Sequence, residues 1–311
     1  MHRLQIPRRT ARAAIARLTV PKKRHVGRFA PTPSGPLHLG SLVTAVASYL
    51  DARSHDGAWN IRIDDLDLPR VVVGAEKQIL TSLETHGLEW DGPIVRQRTH
   101  RDLYQVALEN LEKKDLLFAC DCSRKALAGQ TKYPGTCRDS NRPIGDNSAL
   151  RIRVPDQPYQ FNDLIQGIYT ENLTRTVGDF VVSRRDGIPS YQIAVVIDDD
   201  EHEVTHIVRG ADLMDNTARQ LYLRDMLDLP LPKYAHVPVF SHASGVKLSK
   251  HSKATEIDDR FPTQNLQTAL QLLGQPVPAE KSVAELLTTA RANWERSAVP
   301  KTPSIINFVS V

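Results

Sequence analysis

Two short stretches of the chain carry residue types that could hold phosphate and neutralise its charge. The first, His38-Leu-Gly-Ser41, follows a loop with three prolines and a glycine, and Gly40 would open a helix there. A helix start offers unpaired backbone N–H groups and the positive end of the helix dipole, and both favour an anion. The second, Lys247-Leu-Ser-Lys250, is a basic loop far along the chain. A glycine turn alone is most often structural, but the two stretches together indicate phosphate binding.

The elements around these stretches alternate between strand and helix. The pattern predicts a strand ending at Phe29, a helix to about His55, a strand at 58–64, and helices at 73–88 and 101–114. Further strands are predicted at 149–154, 160–169, 179–184, 191–197 and 204–208, and further helices at 212–227, 265–273 and 283–294. Such alternation is typical of an α/β fold with a parallel sheet. Open parallel sheets bind ligands beyond the carboxyl ends of their strands, where we expect the two stretches to meet.

The organisation of the chain follows from where this alternation is interrupted. The segment after residue 116 contains the cysteines, glycines and a proline in place of a regular pattern. We therefore predict a leader at 1–24, two halves of a nucleotide-binding domain at 25–116 and 179–261, an insertion at 117–178, and a short helical C-terminal segment at 262–311.

All three cysteines of the chain, Cys120, Cys122 and Cys137, lie close together within the insertion. Thiolates at this spacing suit tetrahedral zinc, and a disulfide would leave one cysteine over. No histidine is nearby to complete the set, so the fourth ligand stays open between Tyr133 and the aspartates at 121 and 139. The alternative is three packed or exposed thiols without a metal.

Charged residues at predicted strand ends are candidates for binding a charged substrate. Arg28 and Arg209 each precede a turn, and two guanidinium groups suit a substrate with two carboxylates, although a lone arginine there is more often in a surface ion pair. One of Asp64, Asp65 and Asp67 could meet a substrate ammonium group, while the others would cap a turn. The acidic run 198–203 is expected to be a solvated turn at the end of a strand rather than a metal site.

Composition limits the class of protein. The chain has 311 residues, 41% of them apolar, and a formal net charge of +4. The first 24 residues contain arginine and lysine but no acid, so the remainder is net acidic and overall charge makes no case for nucleic-acid binding. We expect this leader to be a disordered tail rather than a transit peptide, because it lacks the serine usual in a transit peptide. No stretch is long and apolar enough to span a membrane, and few, clustered cysteines fit a reduced cytoplasm.

Several longer motifs resemble a known family. HLGS and KLSK are similar to the HIGH and KMSKS signatures of class I aminoacyl-tRNA synthetases. Most of the chain resembles the glutamyl branch of that class. The segments that carry this resemblance are RFAPTPSGPLHLGS, RIDDLDLPR, HGLEWDG, the C-x-C…Y-x3-C cluster, RRDGIPSYQIAVVIDD, VTHIVRGADL and GVKLSK. The segment after Lys250 is too short for the anticodon-binding region of a glutamyl-tRNA synthetase. The chain therefore resembles the truncated branch, the glutamyl-Q tRNA(Asp) synthetases.

The resemblance implies a fold and a reaction. The fold would be α/β, a Rossmann-like parallel sheet with a zinc-containing insertion and a short helical C-terminal segment. The enzyme would activate L-glutamate with Mg²⁺-ATP without tRNA, and then transfer glutamate to queuosine at the wobble position of tRNA(Asp). It would work as a cytoplasmic monomer. Rival functions are a compact synthetase that charges a tRNA 3′ end, a small-molecule nucleotidyltransferase, and a catalytically silent RNA-binding module.

The resemblance also assigns roles to residues. The catalytic group would be His38, Lys247 and Lys250. ATP would be bound by His38, Gly40, Ser41, Lys247, Leu248, Ser249 and Lys250. Glutamate would be bound by Arg28, Phe29, Ala30, Pro31, Thr32, Asp64, Tyr191 and Arg209. One structural zinc would be held by Cys120, Cys122, Tyr133 and Cys137.

Two positions depart from the family pattern. Ser41 stands where the signature has histidine, and a hydroxyl can donate to phosphate but carries no charge. Asp64 stands where the family has glutamate, and its side chain is one methylene shorter. The second departure puts the expected contact between Asp64 and the substrate ammonium in question.

Overall fold

The computed structural model describes residues 25–145, 147–241, 256–279 and 282–306. The strands are β1 Val26–Phe29, β2 Ala58–Ile63, β3 Val95–Arg96, β4 Leu117–Cys120, β5 Ala149–Ile152, β6 Pro158–Asp163, β7 Gly167–Asn172, β8 Phe180–Ser183, β9 His206–Gly210, β10 Lys233–Val237, β11 Val239–Ser241 and β12 Ser304–Ile306. The helices are α1 Leu39–Arg53, α2 Ala75–Thr85, α3 Arg101–Lys113, α4 Leu173–Thr176, α5 Tyr191–Glu201, α6 Met214–Met226, α7 Pro262–Leu272 and α8 Val283–Ala292.

The parallel sheet predicted from the alternating pattern is present. β2 pairs in parallel with β1 and with β3, and β9 pairs in parallel with β10. Thr205 joins the two groups of strands, because its N–H donates to the carbonyl of Val26 and its hydroxyl accepts from the Val26 N–H, both at 2.9 Å. Strands β1 and β9, which carry Arg28 and Arg209, therefore lie next to each other.

Helix α1 covers this sheet and forms the centre of the main core. Its apolar residues Leu42, Val46 and Leu50 are fully buried, and it packs against β1, β9 and α7. The indole of Trp59 on β2 donates to the hydroxyl of Ser48 at 2.9 Å, so the one polar atom of that buried ring is satisfied. This packing fixes the start of α1 at the edge of the sheet.

The strand at 180–183 belongs to a different sheet from the one expected. β8 pairs antiparallel with β5, which pairs antiparallel with β4, so the parallel sheet does not resume there. The strand expected over 160–169 is instead a hairpin of β6 and β7. Asp163 accepts from the N–H groups of Ile165 and Gln166 and so turns the chain between them.

The largest error of the sequence prediction lies at 191–197, which was expected to be a strand and is helix α5. The run Tyr-Gln-Ile-Ala-Val-Val-Ile is apolar on nearly every side, and such a run suits a buried helix as well as a buried strand. Helix α5 packs between α3 and α6, so most of its surface is covered. The expected solvated turn at 198–203 is also wrong, because Asp198 and Asp199 are 1% and 2% exposed within this helix.

The two predicted C-terminal helices are confirmed as α7 and α8. Leu266 and Leu286 from these helices belong to the same core as α1. Asp51 of α1 also holds this segment, since Arg296 lies 2.6 Å from its Oδ1 and Trp294 donates to the same atom at 3.3 Å. Within the described ranges, no helix is both long and apolar enough to cross a membrane.

Candidate active site and metal centre

The loop between β1 and α1 is closed by His38 at the helix start. His38 is the N-cap of α1, and its Nδ1 accepts from the Ser41 N–H at 3.2 Å. Its Nε2 lies 2.9 Å from the Ser41 hydroxyl. The predicted turn at Gly40 is thus confirmed as a helix start, and the first turn is held by the same side chains that were predicted to meet phosphate.

A cavity of about 280 Å³ opens in front of this helix start. Its walls include the β1–α1 loop from Phe29 to Thr32, the helix start at His38, Gly40 and Ser41, and the turn after β9 at Gly210 and Asp212. The cavity therefore brings together residues predicted for glutamate and residues predicted for ATP. Unpaired N–H groups of the helix start and the helix dipole favour an anion at this place.

Lys247, Leu248, Ser249 and Lys250 lie outside the described residues. The described chain resumes at Glu256, which lies at the helix start. Glu256 forms a bridge with His38, and the N–H of Ile257 donates to the carbonyl of Leu37 at 3.2 Å. The described chain resumes beside the cavity six residues after Lys250.

A larger cavity of about 850 Å³ lies between the parallel sheet and the cysteine-containing region. Thr32, Asp64 and Tyr191 line it on one side, and Cys122 and Arg151 line it on the other. Thr32 and Arg70 line both the larger and the smaller cavity. The two cavities are therefore neighbours that share these wall residues, and residues predicted for glutamate line both of them.

Four buried charged side chains that alternate in sign begin at the wall of the larger cavity with Asp64 and continue behind it. Asp199 Oδ1 accepts from Arg28 Nε at 3.1 Å and from Arg62 Nη1 at 2.7 Å. Arg62 Nε donates to Asp64 Oδ1 at 2.7 Å, so the run of pairs is Arg28, Asp199, Arg62, Asp64. Sequence reasoning missed Arg62 and Asp199. Asp199 was the harder of the two to predict, because it lies in a helix whose residues were predicted as a strand and a solvated turn.

The pKa values of the two carboxylates in this charge network are shifted in opposite directions. Burial raises the pKa of Asp64 to about 6, and the Arg62 guanidinium only partly offsets that effect. Burial also acts to raise the pKa of Asp199, but Arg28 and Arg62 outweigh it and lower that pKa to about 2. Asp199 is the fixed anion of the network, whereas Asp64 can gain a proton under mildly acidic conditions.

Arg209 is held by a separate buried set of neutral acceptors. Its Nε donates to His236 Nε2 at 3.0 Å, and its two terminal nitrogens donate to Gln220 at 2.7 Å and to Thr217 at 2.8 Å. His236 Nδ1 in turn lies 2.6 Å from Asp163. Burial lowers the pKa of His236, and Asp163 fixes the tautomer that leaves Nε2 free to accept from the arginine.

Arg28 and Arg209 line neither cavity; both lie behind the walls, and Tyr191 stands in front of them. Tyr191 is 38% exposed and faces the larger cavity. Burial of its hydroxyl raises the pKa of Tyr191, and the charges of Arg209, Asp64 and Arg28 all act on that hydroxyl. The predicted glutamate residues therefore converge on one place, but both arginines reach it from within the protein.

Asp198, the neighbour of Asp199 on α5, serves a different set of residues. It accepts from Gln97 at 2.8 Å and from the Tyr104 hydroxyl at 2.8 Å, and it pairs with His100 at 2.8 Å. These contacts join α5 to α3 and to the short turn before it. Asp198 thus ties α5 to α3 and accepts no hydrogen bond from the four residues of the charge network.

The three cysteines come together as the sequence predicted. Their sulfur atoms all lie within 4.8 Å of one another, and Cys122 Sγ and Cys137 Sγ are 3.6 Å apart. Cys120 Sγ donates to the Tyr133 hydroxyl at 3.5 Å. Ligands about 2.0 to 2.3 Å from a tetrahedral zinc are separated by roughly 3.3 to 3.8 Å, and these two separations fall in that range, so the cluster is compatible with a metal ion.

The other two candidates for the fourth ligand are engaged elsewhere. Asp121 is paired with Arg142, and Asp139 lies 3.6 Å from Arg153. Arg151 donates to Cys120 Sγ at 3.2 Å and stacks on the Tyr133 ring with its guanidinium carbon 3.8 Å from the ring centre. A fixed cation beside Cys120 supports the thiolate form that a metal ligand needs.

Comparison with known proteins places the chain in a family. The model of the catalytic domain of class I tRNA synthetases for glutamate and glutamine matches residues 25–299. A glutamyl-Q tRNA(Asp) synthetase of Pseudomonas syringae pv. syringae is 49% identical over 284 residues, covering 90% of this chain and 96% of the relative. One of Acinetobacter baylyi is 46% identical over 276 residues, covering 89% and 94%.

Among solved structures, a glutamate-tRNA synthetase of Elizabethkingia anophelis superposes with a TM-score of 0.77 at 26% identity. The match covers 90% of this chain but 67% of that one. The likeness in fold agrees with the parallel sheet and with the helix start beneath the smaller cavity. The chain belongs to the class I aminoacyl-tRNA synthetases, within the family of the glutamyl-Q tRNA(Asp) synthetases, and is a glutamate-activating ligase.

Proposed function

We propose that this enzyme forms glutamyl-adenylate from L-glutamate and Mg²⁺-ATP without tRNA, and then transfers glutamate to queuosine at the wobble position of tRNA(Asp). The observation that supports this most directly is the pair of neighbouring cavities that share Thr32 and Arg70 in their walls. One has a helix start suited to phosphate, and the other is large enough for a nucleoside on a polynucleotide. The relatives that match over nearly their whole length carry the same activity in their names.

In the first step a glutamate carboxylate oxygen attacks the α-phosphorus of ATP, and pyrophosphate leaves. No protein nucleophile is needed, so the protein contributes position and charge. His38, Gly40 and Ser41 at the start of α1 would hold phosphate oxygens. Lys247 and Lys250 would neutralise the charge that develops on pyrophosphate. The bridge between Glu256 and His38 supports this placement of the basic loop.

Glutamate would lie at the junction of the two cavities, against the loop from Phe29 to Thr32 and against Tyr191. The two buried arginines would each offer a cation to one carboxylate. Arg28 is better placed for direct contact, because its Nη2 makes no hydrogen bond to any residue in the described ranges. All three nitrogens of Arg209 already donate to protein acceptors, so it would act through its charge and through Tyr191.

The substrate ammonium would face Asp64, which also lines the larger cavity. Arg62 competes for this carboxylate, since it lies 2.7 Å from Asp64 Oδ1. Aspartate in place of the family's glutamate therefore affects more than the distance to the substrate ammonium. Ammonium binding has to share Asp64 with an arginine that is itself held by Asp199.

In the second step a hydroxyl of the queuosine cyclopentene-diol attacks the carbonyl carbon of the adenylate. The bond between that carbon and the phosphate oxygen breaks, AMP leaves, and the hydroxyl proton passes to solvent or to the leaving phosphate. The larger cavity would admit the nucleoside from the side of the cysteine-containing region, where Arg124, Arg151 and Arg185 supply positive charge.

The cysteine cluster would hold one structural zinc through Cys120, Cys122, Cys137 and Tyr133. The spacing of the four atoms fits this ion, and the site is built entirely of side chains from the insertion. Zinc here would fix the chain that forms one wall of the larger cavity and would take no part in either chemical step. We also propose that the enzyme is a cytoplasmic monomer and that the insertion spans 117–178, between halves of the nucleotide-binding domain at 25–116 and 179–261.

The acceptor is tested with four forms of tRNA(Asp). Each carries queuosine or guanosine at the wobble position, and each ends in 3′-deoxyadenosine or in 2′-deoxyadenosine. Incorporation of labelled glutamate should follow the wobble base and ignore the terminal ribose. Incorporation that follows the terminus would instead make this a small enzyme that charges a tRNA 3′ end. Glutamate-dependent pyrophosphate exchange without RNA serves as the control that activation itself is intact.

A further inference from the structure

Asp199 is a buried carboxylate that joins two arginines from neighbouring strands. It lies near the end of α5, and its Oδ1 accepts from Arg28 of β1 at 3.1 Å and from Arg62 of β2 at 2.7 Å. Arg28 and Arg62 are each 5% exposed. A guanidinium in such a place keeps one orientation only while its acceptors are present, because its planar donors have few other partners.

We infer that Asp199 is a positioning residue for glutamate, acting through Arg28 on a substrate carboxylate and through Arg62 on Asp64 and thus on the substrate ammonium. The inference rests on the glutamate-binding part of the proposed function. It assigns one residue to the alignment of both ends of the substrate, since Arg28 and Asp64 are connected only through Asp199 and Arg62 among the hydrogen bonds of the described residues.

The hydrogen bonds of Arg28 point to the same role. Its Nε is taken by Asp199 and its Nη1 donates to the Val208 carbonyl at 3.3 Å, so two bonds set the plane of the guanidinium. Its Nη2 has no hydrogen-bond acceptor among the described residues. The orientation set by Asp199 therefore leaves one donor of a buried arginine open for a ligand.

Asp198 provides a matched control. It is on the same helix and similarly buried, and it is also hydrogen-bonded, but its acceptor atoms serve Gln97, His100 and Tyr104. Its nearest approach to the charge network is 3.9 Å from Arg62 Nε. Loss of either carboxylate should weaken the packing of α5, whereas only loss of Asp199 should disorient Arg28.

The test compares Asp199→Asn with Asp198→Asn in glutamate-dependent pyrophosphate exchange without RNA. Asp199→Asn should raise the KM for glutamate about tenfold or more, the scale of a lost charge-assisted hydrogen bond, and should change the KM for ATP less than about twofold. Asp198→Asn should lower the melting temperature comparably and leave the KM for glutamate within about twofold. Equal shifts of the glutamate KM in the two variants, or equal shifts of both KM values in Asp199→Asn, would overturn the inference.

A second variant covers the case in which Asp199→Asn does not fold. Arg62→Lys keeps the positive charge but cannot reach Asp199 and Asp64 with separate donors, so the glutamate KM should rise several-fold with an unchanged ATP KM. An unchanged glutamate KM in this variant would also count against the inference. Failure of transfer to queuosine would overturn the proposed function alone, because activation does not involve RNA. If wild-type protein shows no exchange, stabilisation against heat by glutamate alone, compared among the same variants, decides the inference.

Discussion

The cysteine cluster and the buried charge network are two polar sites of similar size that differ in how their charge is balanced. In the charge network two arginines alternate with two aspartates, so each charged group has an opposite partner within about 3.1 Å. In the cysteine cluster three thiols and a phenol face each other, and the cation Arg151 donates to Cys120 and stacks on the Tyr133 ring. The first site balances its own charges, whereas the second is built mostly of groups that can become anions.

This difference separates what the two sites contribute. A set of potential anions with no central cation is stable only when their protons stay on or a metal replaces them. The cysteine cluster should therefore contribute mainly to folding, and only when its ion is bound. The charge network contributes little net stability, because burying ion pairs costs about as much as their attraction returns. We propose that its effect is to fix the direction of donors and acceptors that would meet the substrate.

The largest expected effect is the loss of the metal. Cys122→Ser should release zinc and lower the melting temperature by several degrees or more, because structural zinc contributes directly to folding free energy. Zinc per chain and thermal unfolding measure the two consequences together. Tyr133→Phe should show the same changes to a smaller degree, and Ser148→Ala, outside the cluster, should show neither. Purified wild-type protein with much less than one zinc per chain would remove the contrast between the two sites.

The second effect is a lower rate of glutamate activation with little change in the melting temperature. Lys250→Ala should lower glutamate-dependent pyrophosphate exchange about a hundredfold, the scale for one donor that acts on developing charge. The melting temperature and the affinity for glutamate should change little. Lys301→Ala, an exposed lysine of the C-terminal segment, is the control for a simple loss of positive charge. Normal turnover in Lys250→Ala would show that the basic loop is only a solvated turn.

A third effect follows from the raised pKa of Asp64. Because that pKa is about 6, affinity for glutamate without ATP should fall as the pH drops below about 6, approaching tenfold per pH unit. The pH dependence reflects Asp64 within its set of charges, Arg62, Asp198 and Arg28, while Asp199 stays ionised because its pKa is about 2. Calorimetric binding between pH 5 and 7.5 measures this, and Asp64→Asn should bind weakly with no such dependence. Constant affinity down to pH 5 would mean that Asp64 does not meet the ammonium.

The same two carboxylates act on stability with opposite sign. A folded-state pKa above the unfolded value means that Asp64 contributes most to stability below about pH 4, and that this contribution is lost as the pH rises through 6. Asp199 contributes above about pH 4, and its contribution is lost as the pH falls toward 2.

The smallest effect is expected from removing residues 1–24. Activation of glutamate should be unchanged, because this basic segment precedes the first strand and has little apolar surface. Pyrophosphate exchange of the shortened chain measures it directly. A higher KM for tRNA would still be consistent with this prediction, since arginines and lysines can contact phosphate. If the shortened protein remains folded but no longer activates glutamate, residues 1–24 form part of the active site and this prediction is wrong.

The sequence by itself determined the local parts of this protein. The helix start at Gly40 follows from a glycine after a proline-rich loop, and the cysteine cluster follows from three thiols close together along one short segment. Both depend on neighbours a few residues away, so their geometry is nearly set by spacing. The parallel sheet was predictable as well, because strand and helix patterns alternate around it.

Only the tertiary structure decided which charges meet. Asp199 lies 171 residues after Arg28, and nothing in its local pattern separates it from the neighbouring Asp198, which has other partners. The apolar run before these aspartates fits a buried strand or a buried helix equally well, and packing against α3 and α6 selects the helix. That choice turns the acidic run from a solvated turn into the buried anion that orients two arginines, because burial and pairing depend on the whole fold rather than on spacing.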